Sequence, residues 1–140
     1  VYRVECQPGT HTVRVASSSH APLVAGAAGP IHLLNTSGEF YFLVPAGVTR
    51  CAVRFWGEGD LERVSAAVFD PAGKQVWKQD DISTAQSCEI ERKDAARDEV
   101  WRFKLSRPKV GVLEDHYVEM RGIPPVFGLR PDGLLAPAKR

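Results

Sequence analysis

The sequence contains no apolar run that approaches the roughly 20 residues needed for a membrane-spanning helix. Its longest weakly apolar stretch, residues 21–31, is interrupted by prolines and glycines and is predicted to be a loop. A surplus of one charge is also missing, because 18 basic residues balance 17 acidic ones and the formal net charge is +1. Nucleic-acid binding needs a concentrated basic face. The composition therefore predicts neither a membrane nor a nucleic-acid partner, and the adjacent basic pairs Arg92-Lys93 and Lys139-Arg140 are predicted to be solvated.

Cysteine is scarce, and the spacing of Cys6, Cys51 and Cys88 matches no zinc-binding pattern. Three cysteines permit at most one disulfide within the chain. Cys51 shares its parity with Val53 and Phe55, which favours a buried free thiol at this position, since free cysteine behaves as a small apolar side chain.

Familiar catalytic motifs are absent from the sequence: there is no nucleophile elbow, zinc-protease motif, phosphate-binding loop or Cys-x-x-Cys pair. The acids of the pairs Asp80-Asp81 and Glu114-Asp115 would point to opposite faces of a strand, so neither forms an acid–base dyad. We therefore predict a non-enzymatic domain that needs no cofactor. Two alternatives stay open: a structural Ca²⁺ held by Asp70, Asp80 and Asp81, and a small metal-dependent enzyme assembled from scattered residues.

Short segments of alternating apolar and polar residues, separated by turn residues, dominate the chain. This alternation is typical of strands with one buried face. The alternating segments lie at residues 2–6, 12–16, 39–44, 51–56, 64–69, 75–78, 100–105 and 117–120, with residues 86–90 as a ninth candidate and residues 31–34 as a short apolar segment. About eight to nine short strands, with no helical period over 10 residues, predict an all-β fold, an antiparallel β-sandwich of the jelly-roll type.

The length of 140 residues suits a single domain over residues 1–140. Residues 126–140 are rich in glycine and proline and are predicted to be an extended surface tail. Val1 opens directly into a strand-like run, without an initiator Met or a signal peptide. We therefore expect a domain excised from a longer multidomain protein.

Alternation along each strand also predicts which side chains face the core. The inward set is Phe40, Phe42, Val44, Val53, Phe55, Val64, Ala66, Val68, Val76, Trp101, Phe103, Leu105, Val118 and Met120. The outward set is Tyr41, Arg54, Trp56, Ser65, Gln75, Trp77, Arg102, Lys104 and Glu119. The second set is mostly polar but carries three large aromatic side chains, which is an unusual composition for a solvated face.

Aromatic rings among polar neighbours are suited to binding a sugar. The apolar C–H face of a pyranose stacks on an aromatic ring, while polar side chains bind its hydroxyls. The candidate carbohydrate-binding residues are Trp56, Trp77 and Tyr41 for stacking, with Arg54, Gln75 and Arg102 as hydrogen-bonding partners. A structural alternative is that both tryptophans close the edge of the sandwich, and that the tyrosine hydroxyl bonds to the backbone.

Three turn-bounded stretches resemble accessory β-sandwich modules of exported bacterial enzymes. Residues 40–47, an aromatic strand ending in Val-Pro-Ala-Gly, and residues 68–76, a hairpin with Asp-Pro-Ala-Gly-Lys, are similar to carbohydrate-binding modules and pre-peptidase C-terminal domains. Residues 114–125 resemble the closing part of such domains. The resemblance implies a non-catalytic module of a secreted or periplasmic protein, covalently attached to a catalytic domain and binding a polysaccharide or oligosaccharide. A structural spacer or interaction domain without glycan binding is the second interpretation.

Overall fold

The computed structural model describes residues 23–26 and 29–134. Within these ranges the chain forms two antiparallel sheets that pack face to face, so the predicted all-β sandwich is confirmed. The strands expected at residues 2–6 and 12–16, together with Cys6, lie outside these ranges. The ten strands are β1 (Leu23–Ala25), β2 (Ile31–Leu34), β3 (Gly38–Val44), β4 (Arg50–Gly57), β5 (Val64–Phe69), β6 (Gln75–Ile82), β7 (Gln86–Glu91), β8 (Glu99–Ser106), β9 (Asp115–Arg121) and β10 (Val126–Gly128), followed by a 3-10 helix at Pro131–Gly133.

The strand order is that of a jelly roll with one inserted hairpin. The six-stranded sheet has the order β1-β10-β3-β8-β5-β6, and the four-stranded sheet has the order β2-β9-β4-β7. Without β5 and β6, the remaining eight strands alternate between the sheets as β1-β10-β3-β8 and β2-β9-β4-β7, which is the double Greek key of a jelly roll. The β5–β6 hairpin is inserted between β4 and β7 and widens the first sheet beyond β8.

The core lies between the sheets and contains all predicted inward residues except Val76. Phe103 is at its centre, with ring centroids 5.5 Å from Phe55 of the opposite sheet and 5.1 Å from Phe127. Such tilted and edge-on contacts contribute about 0.5–1.5 kcal/mol per pair beyond the burial of apolar area.

Ser65 was assigned to the outward set, but it is buried in the structure. Its hydroxyl accepts a hydrogen bond from the Asp81 amide at 3.1 Å.

A β-bulge in β6 reverses the predicted facing of two residues. Phe69 pairs with Gln75 but Val68 pairs with Trp77, so Val76 is an extra residue between the two pairs. Residues paired across antiparallel strands point to the same side of the sheet. Trp77 therefore faces inward with Val68, whereas Val76 is 46% exposed. The sequence prediction for Val76 and Trp77 is wrong because the bulge shifts the alternation by one residue.

Two segments predicted to be irregular are strands of the six-stranded sheet. Leu23–Ala25 forms β1, although residues 21–31 were expected to be a loop. Val126–Gly128 forms β10, which lies between β1 and β3, and its central residue Phe127 is fully buried. The predicted surface tail therefore does not apply to β10. Each strand has only three residues, which is too short for alternation to reveal it.

Burial also determines the state of the polar groups inside the sandwich. Cys51 and Cys88 are buried free thiols, as predicted for Cys51, and desolvation raises their pKa values to about 11 and about 12. Arg92 was predicted to be solvated, but it is buried and donates hydrogen bonds to the carbonyls of Pro45 and Val48 at 2.9 and 3.1 Å.

In the described part of the chain, no helix is long and apolar enough to cross a membrane.

Candidate functional site

The six predicted carbohydrate-binding residues do not form one site. The outer face of a sheet is defined as the face turned away from the other sheet. Trp56 and Arg54 lie on the outer face of the four-stranded sheet, where they pair with residues of β9. Tyr41, Arg102 and Gln75 lie on the outer face of the six-stranded sheet, on the opposite side of the molecule.

Trp77 belongs to the interior side of the sandwich. Its indole stacks on Phe55 of the opposite sheet, with ring centroids 5.6 Å apart and planes inclined by 21°. It is half-buried on β6, an edge strand among the described strands, and packs against the core. The structural alternative, in which both tryptophans close the sandwich edge, therefore describes Trp77, and Trp56 is half-buried and packs against the core as well.

Three aromatic side chains form a continuous row across the outer face of the four-stranded sheet. We call this row the aromatic ladder; it consists of His32 on β2, Tyr117 on β9 and Trp56 on β4. The sheet register pairs His32 with Tyr117 and Tyr117 with Trp56. The ring centroids are 4.7 and 5.2 Å apart and the planes are inclined by 17° and 14°. These separations are close to the spacing of neighbouring strands, about 4.8 Å, so the register itself stacks the rings.

A charged pair extends the ladder along β4. The Arg54 guanidinium lies 5.7 Å from the centroid of the Trp56 ring, and its Nη1 is 2.6 Å from Glu119 Oε2. Burial disfavours the ionised Glu119, but hydrogen bonds from Arg121 and Arg54 outweigh it and hold the pKa of this carboxyl below its usual value. Arg54 is thereby held in place, with its guanidinium carbon over the indole.

Carboxylates border the other side of the ladder. The Tyr117 hydroxyl donates a hydrogen bond to Glu58, and this bond is the main reason that the pKa of Tyr117 rises to about 12. His32 Nε2 is 2.5 Å from Asp115 Oδ1. The pKa of Glu62 is raised, first by desolvation and then by repulsion from the neighbouring carboxylates of Asp115, Glu114 and Glu58. The ladder therefore has hydrogen-bond acceptors along one side and a guanidinium on the other.

Sequence reasoning missed two of the three rings. Tyr117 has the same strand parity as Glu119, which was assigned outward, so alternation could have placed it on this face. His32 lies in a strand of only four residues. Its position beside Tyr117 depends on the pairing of strands separated by about 80 residues, and a single sequence does not reveal that pairing.

The outer face of the six-stranded sheet presents a second row of side chains. The register places Tyr41 beside Arg102, Arg102 beside Phe69 and Phe69 beside Gln75. The Arg102 guanidinium carbon lies 4.1 Å from the centroid of the Phe69 ring, and Nη1 is 2.6 Å from a carboxylate oxygen of Glu39. This row therefore offers one cation and one amide but no pair of stacked aromatic rings.

The carboxylates considered for Ca²⁺ do not share a site. Asp70 lies at the turn of the β5–β6 hairpin, where its Oδ1 accepts hydrogen bonds from the amides of Ala72 and Lys74. Asp80 and Asp81 lie at the other end of this hairpin and contact Lys109. Over residues 23–26 and 29–134, no three His, Cys, Asp or Glu side chains converge as metal ligands.

Comparisons with known proteins do not extend the resemblance found in the sequence. No protein-family model and no curated protein matches this chain. Function is therefore inferred from the geometry of the two outer faces.

Proposed function

We propose that this domain is a non-catalytic carbohydrate-binding module, which holds an attached glycan-active enzyme of a secreted or periplasmic protein at its polysaccharide. The observation that carries the proposal is the aromatic ladder, a row of stacked rings on an outer face, exposed at His32 and half-buried at Tyr117 and Trp56, with polar groups on both sides. Sugars combine apolar C–H patches with hydroxyl groups. A surface that binds them needs aromatic carbon and hydrogen-bonding groups within the same few ångströms, and the ladder supplies both.

The geometry of the ladder suggests how a sugar chain binds. Rings with nearly parallel planes at these separations overlap partly face to face. Ring edges and the faces not covered by a neighbour are left for the ligand. Sugar C–H groups would contact these aromatic atoms, and hydroxyls would donate to the carboxylates of Glu58 and Asp115 and accept from Arg54. The row covers two strand spacings, about 10 Å, which is long enough to contact more than one pyranose ring.

Binding at such a surface is expected to be weak. The site is open and shallow, so a sugar buries little area and its hydroxyls stay partly hydrated. A dissociation constant roughly between micromolar and millimolar is expected. Weak binding is sufficient for a targeting module. While the module is bound to the polysaccharide, the attached enzyme is held close to its substrate, which raises the effective substrate concentration.

Affinity electrophoresis against a panel of soluble glycans tests the proposal. We expect at least one glycan to retard the domain. We expect Trp56→Ala to weaken the affinity measured from this retardation about tenfold, since it removes one of the three rings and leaves Tyr117 without its stacked neighbour. Tyr41→Ala is the matched control, because it removes a half-buried aromatic ring from the opposite face. Retardation that persists unchanged in Trp56→Ala and Tyr117→Ala would show that the ladder is not the binding site.

A second candidate function is a spacer or interaction domain without glycan binding. The observation that favours it is a group of exposed apolar side chains on two loops: Leu61 is 75% exposed, Val110 60% and Val112 49%. The Val112 amide donates to the Leu61 carbonyl at 3.0 Å, so the loops form one surface. Exposed apolar clusters often mark contacts with another protein. For this function, no glycan on the panel would retard the domain.

A further inference from the structure

We propose that the outer face of the six-stranded sheet contains a second binding site, which is specific for an anionic sugar residue. The site is a cleft of about 300 Å³ over Ala67, with walls that include Lys78 and Lys104. We call it the basic cleft. The preference for an anion follows from the cleft alone. The further statement that the anion is part of a sugar rests on the proposed function.

The sheet register produces the shape of the cleft. Ala67 on β5 pairs with Lys78 on β6 and with Lys104 on β8, so the three side chains point to the same side. The alanine side chain ends at Cβ and leaves a gap between two long side chains. The backbones of the lysines are two strand spacings apart, about 10 Å. Two flexible ammonium groups can therefore converge on one ligand above Ala67.

The charges around the cleft are not balanced. Lys104 has no ion pair with another described residue, and Lys78 shares the carboxylate of Asp80 with Lys109, at N–O distances of 3.2 and 3.3 Å. Hydrogen bonds from both lysines hold the pKa of Asp80 below its usual value. The remaining pair, Arg102 with Glu39, is neutral overall. Among the residues that line the cleft, Lys78 and Lys104 outnumber the single carboxylate of Asp80, so the lining carries a surplus of one positive charge.

One end of the cleft is adapted to the rest of a sugar ring. Phe69 and Gln75 line this end. The phenyl ring offers apolar carbon to sugar C–H groups, and the amide can donate to or accept from a hydroxyl. Arg102, which covers part of the Phe69 ring, places a planar donor for carboxylate or sulfate beside the same end. A uronic acid residue combines an apolar face, hydroxyls and one carboxylate, which is the set of groups that the cleft can contact.

Titration calorimetry with trigalacturonate and its methyl ester tests the anion preference, because esterification removes the charge and keeps the sugar. We expect the acid to bind and the ester to bind about tenfold more weakly or not at all. A sulfated oligosaccharide serves as a third ligand. If the sulfated oligosaccharide binds and trigalacturonate does not, and if this binding depends on Lys104, the cleft is an anion site that recognises a sugar sulfate and not a sugar carboxylate. Equal binding of acid and ester, or no binding of either anion, overturns the proposal.

Variants separate the cleft from a general charge effect. We expect Lys78→Gln with Lys104→Gln to weaken binding about five- to tenfold. Lys93→Gln is the matched control on an exposed loop and should change it less than twofold. Ala67→Leu fills the cleft without changing its charge and should weaken binding at least as much as the double lysine variant does, whereas Asp80→Asn removes the competing carboxylate and should strengthen binding. Unchanged binding in both the double lysine variant and Ala67→Leu contradicts the proposal, and neither result depends on the aromatic ladder.

Discussion

At the scale of single residues, His116 is the buried titratable side chain with the clearest consequence for stability. It is fully buried, and its Nδ1 is 2.9 Å from the Glu114 carbonyl. Burial lowers its pKa from the model-peptide value of 6.5, although backbone hydrogen bonds at Glu114 and Thr36 partly oppose this change. The unfolded chain therefore takes up a proton at a higher pH than the folded domain does. As the pH falls below 6.5, protonation favours the unfolded state.

We accordingly expect the domain to lose unfolding free energy through His116 as the pH falls from 6.5 toward the lowered pKa of the folded side chain, and to lose no more through it below that pKa. Urea unfolding at pH 7.5 and 5.5 measures this loss. His116→Phe keeps a ring in the core but cannot titrate, so its stability should fall less over the same interval. A variant that loses as much stability as the original domain would show that His116 is not responsible.

Individual side chains differ in how well the sequence predicts them. The large apolar residues of the inward set are correctly assigned, because burial of Phe and Val in alternating strands follows from their hydrophobicity alone. Arg92 is wrongly assigned, because its charge and acidic neighbours suggest solvent. In the fold it holds the β3–β4 and β7–β8 loops together, with Nη2 also donating to the Arg97 carbonyl at 2.5 Å. Such a role depends on carbonyls that only the folded loops bring together.

At the scale of secondary-structure elements, Gly57 ends β4 where the next loop passes very close. A Cβ atom at this position would lie 1.9 Å from the Glu62 carbonyl oxygen and 2.8 Å from the Arg63 nitrogen. Both neighbours are backbone atoms, so the loop would have to move. We expect Gly57→Ala to cost about 2–3 kcal/mol of unfolding free energy, as overpacking does, and to displace Glu58 from Tyr117.

The control for this prediction lies two residues along the same loop. Gly59 has a φ of +71° but open space around the site of a Cβ atom. Gly59→Ala should therefore cost only about 1 kcal/mol, from backbone strain. Thermal or urea unfolding of both variants gives the comparison. Equal losses in the two variants would mean that the close approach at Gly57 is relieved without cost.

Most strands could be predicted from the sequence, but their irregularities could not. Each predicted segment that falls within the described residues lies inside a strand, because strong alternation reflects a sheet with one buried face. The bulge at Val76 could not be predicted from the sequence, since it depends on how the β5–β6 turn closes. The two strands of three residues were missed as well. β10 lies in the middle of its sheet, yet its position depends on β1 and β3, which are distant in the sequence.

At the scale of the whole molecule, the sandwich separates the candidate residues into two surfaces with different chemistry. The sequence correctly predicted a sandwich and an outward Trp56, but it combined residues of opposite faces into one site. That error arose because alternation tells inside from outside and does not tell one sheet from the other. The jelly-roll topology assigns β4 and β9 to one sheet and β3, β5, β6 and β8 to the other. The aromatic ladder and the basic cleft therefore lie on opposite sides of the sandwich, and the two proposed sites share no side chain.

The aromatic ladder is the surface at which we propose that a neutral glycan binds. Chemical-shift mapping in ¹H–¹⁵N spectra, with the neutral glycan that gives the strongest retardation, tests this proposal most directly. We expect the largest shifts at the Trp56 indole N–H and at the amides of Tyr117 and His32, with little change at Ala67 and Lys104. Shifts concentrated on the six-stranded sheet, or none at the ladder at saturating glycan, would contradict it.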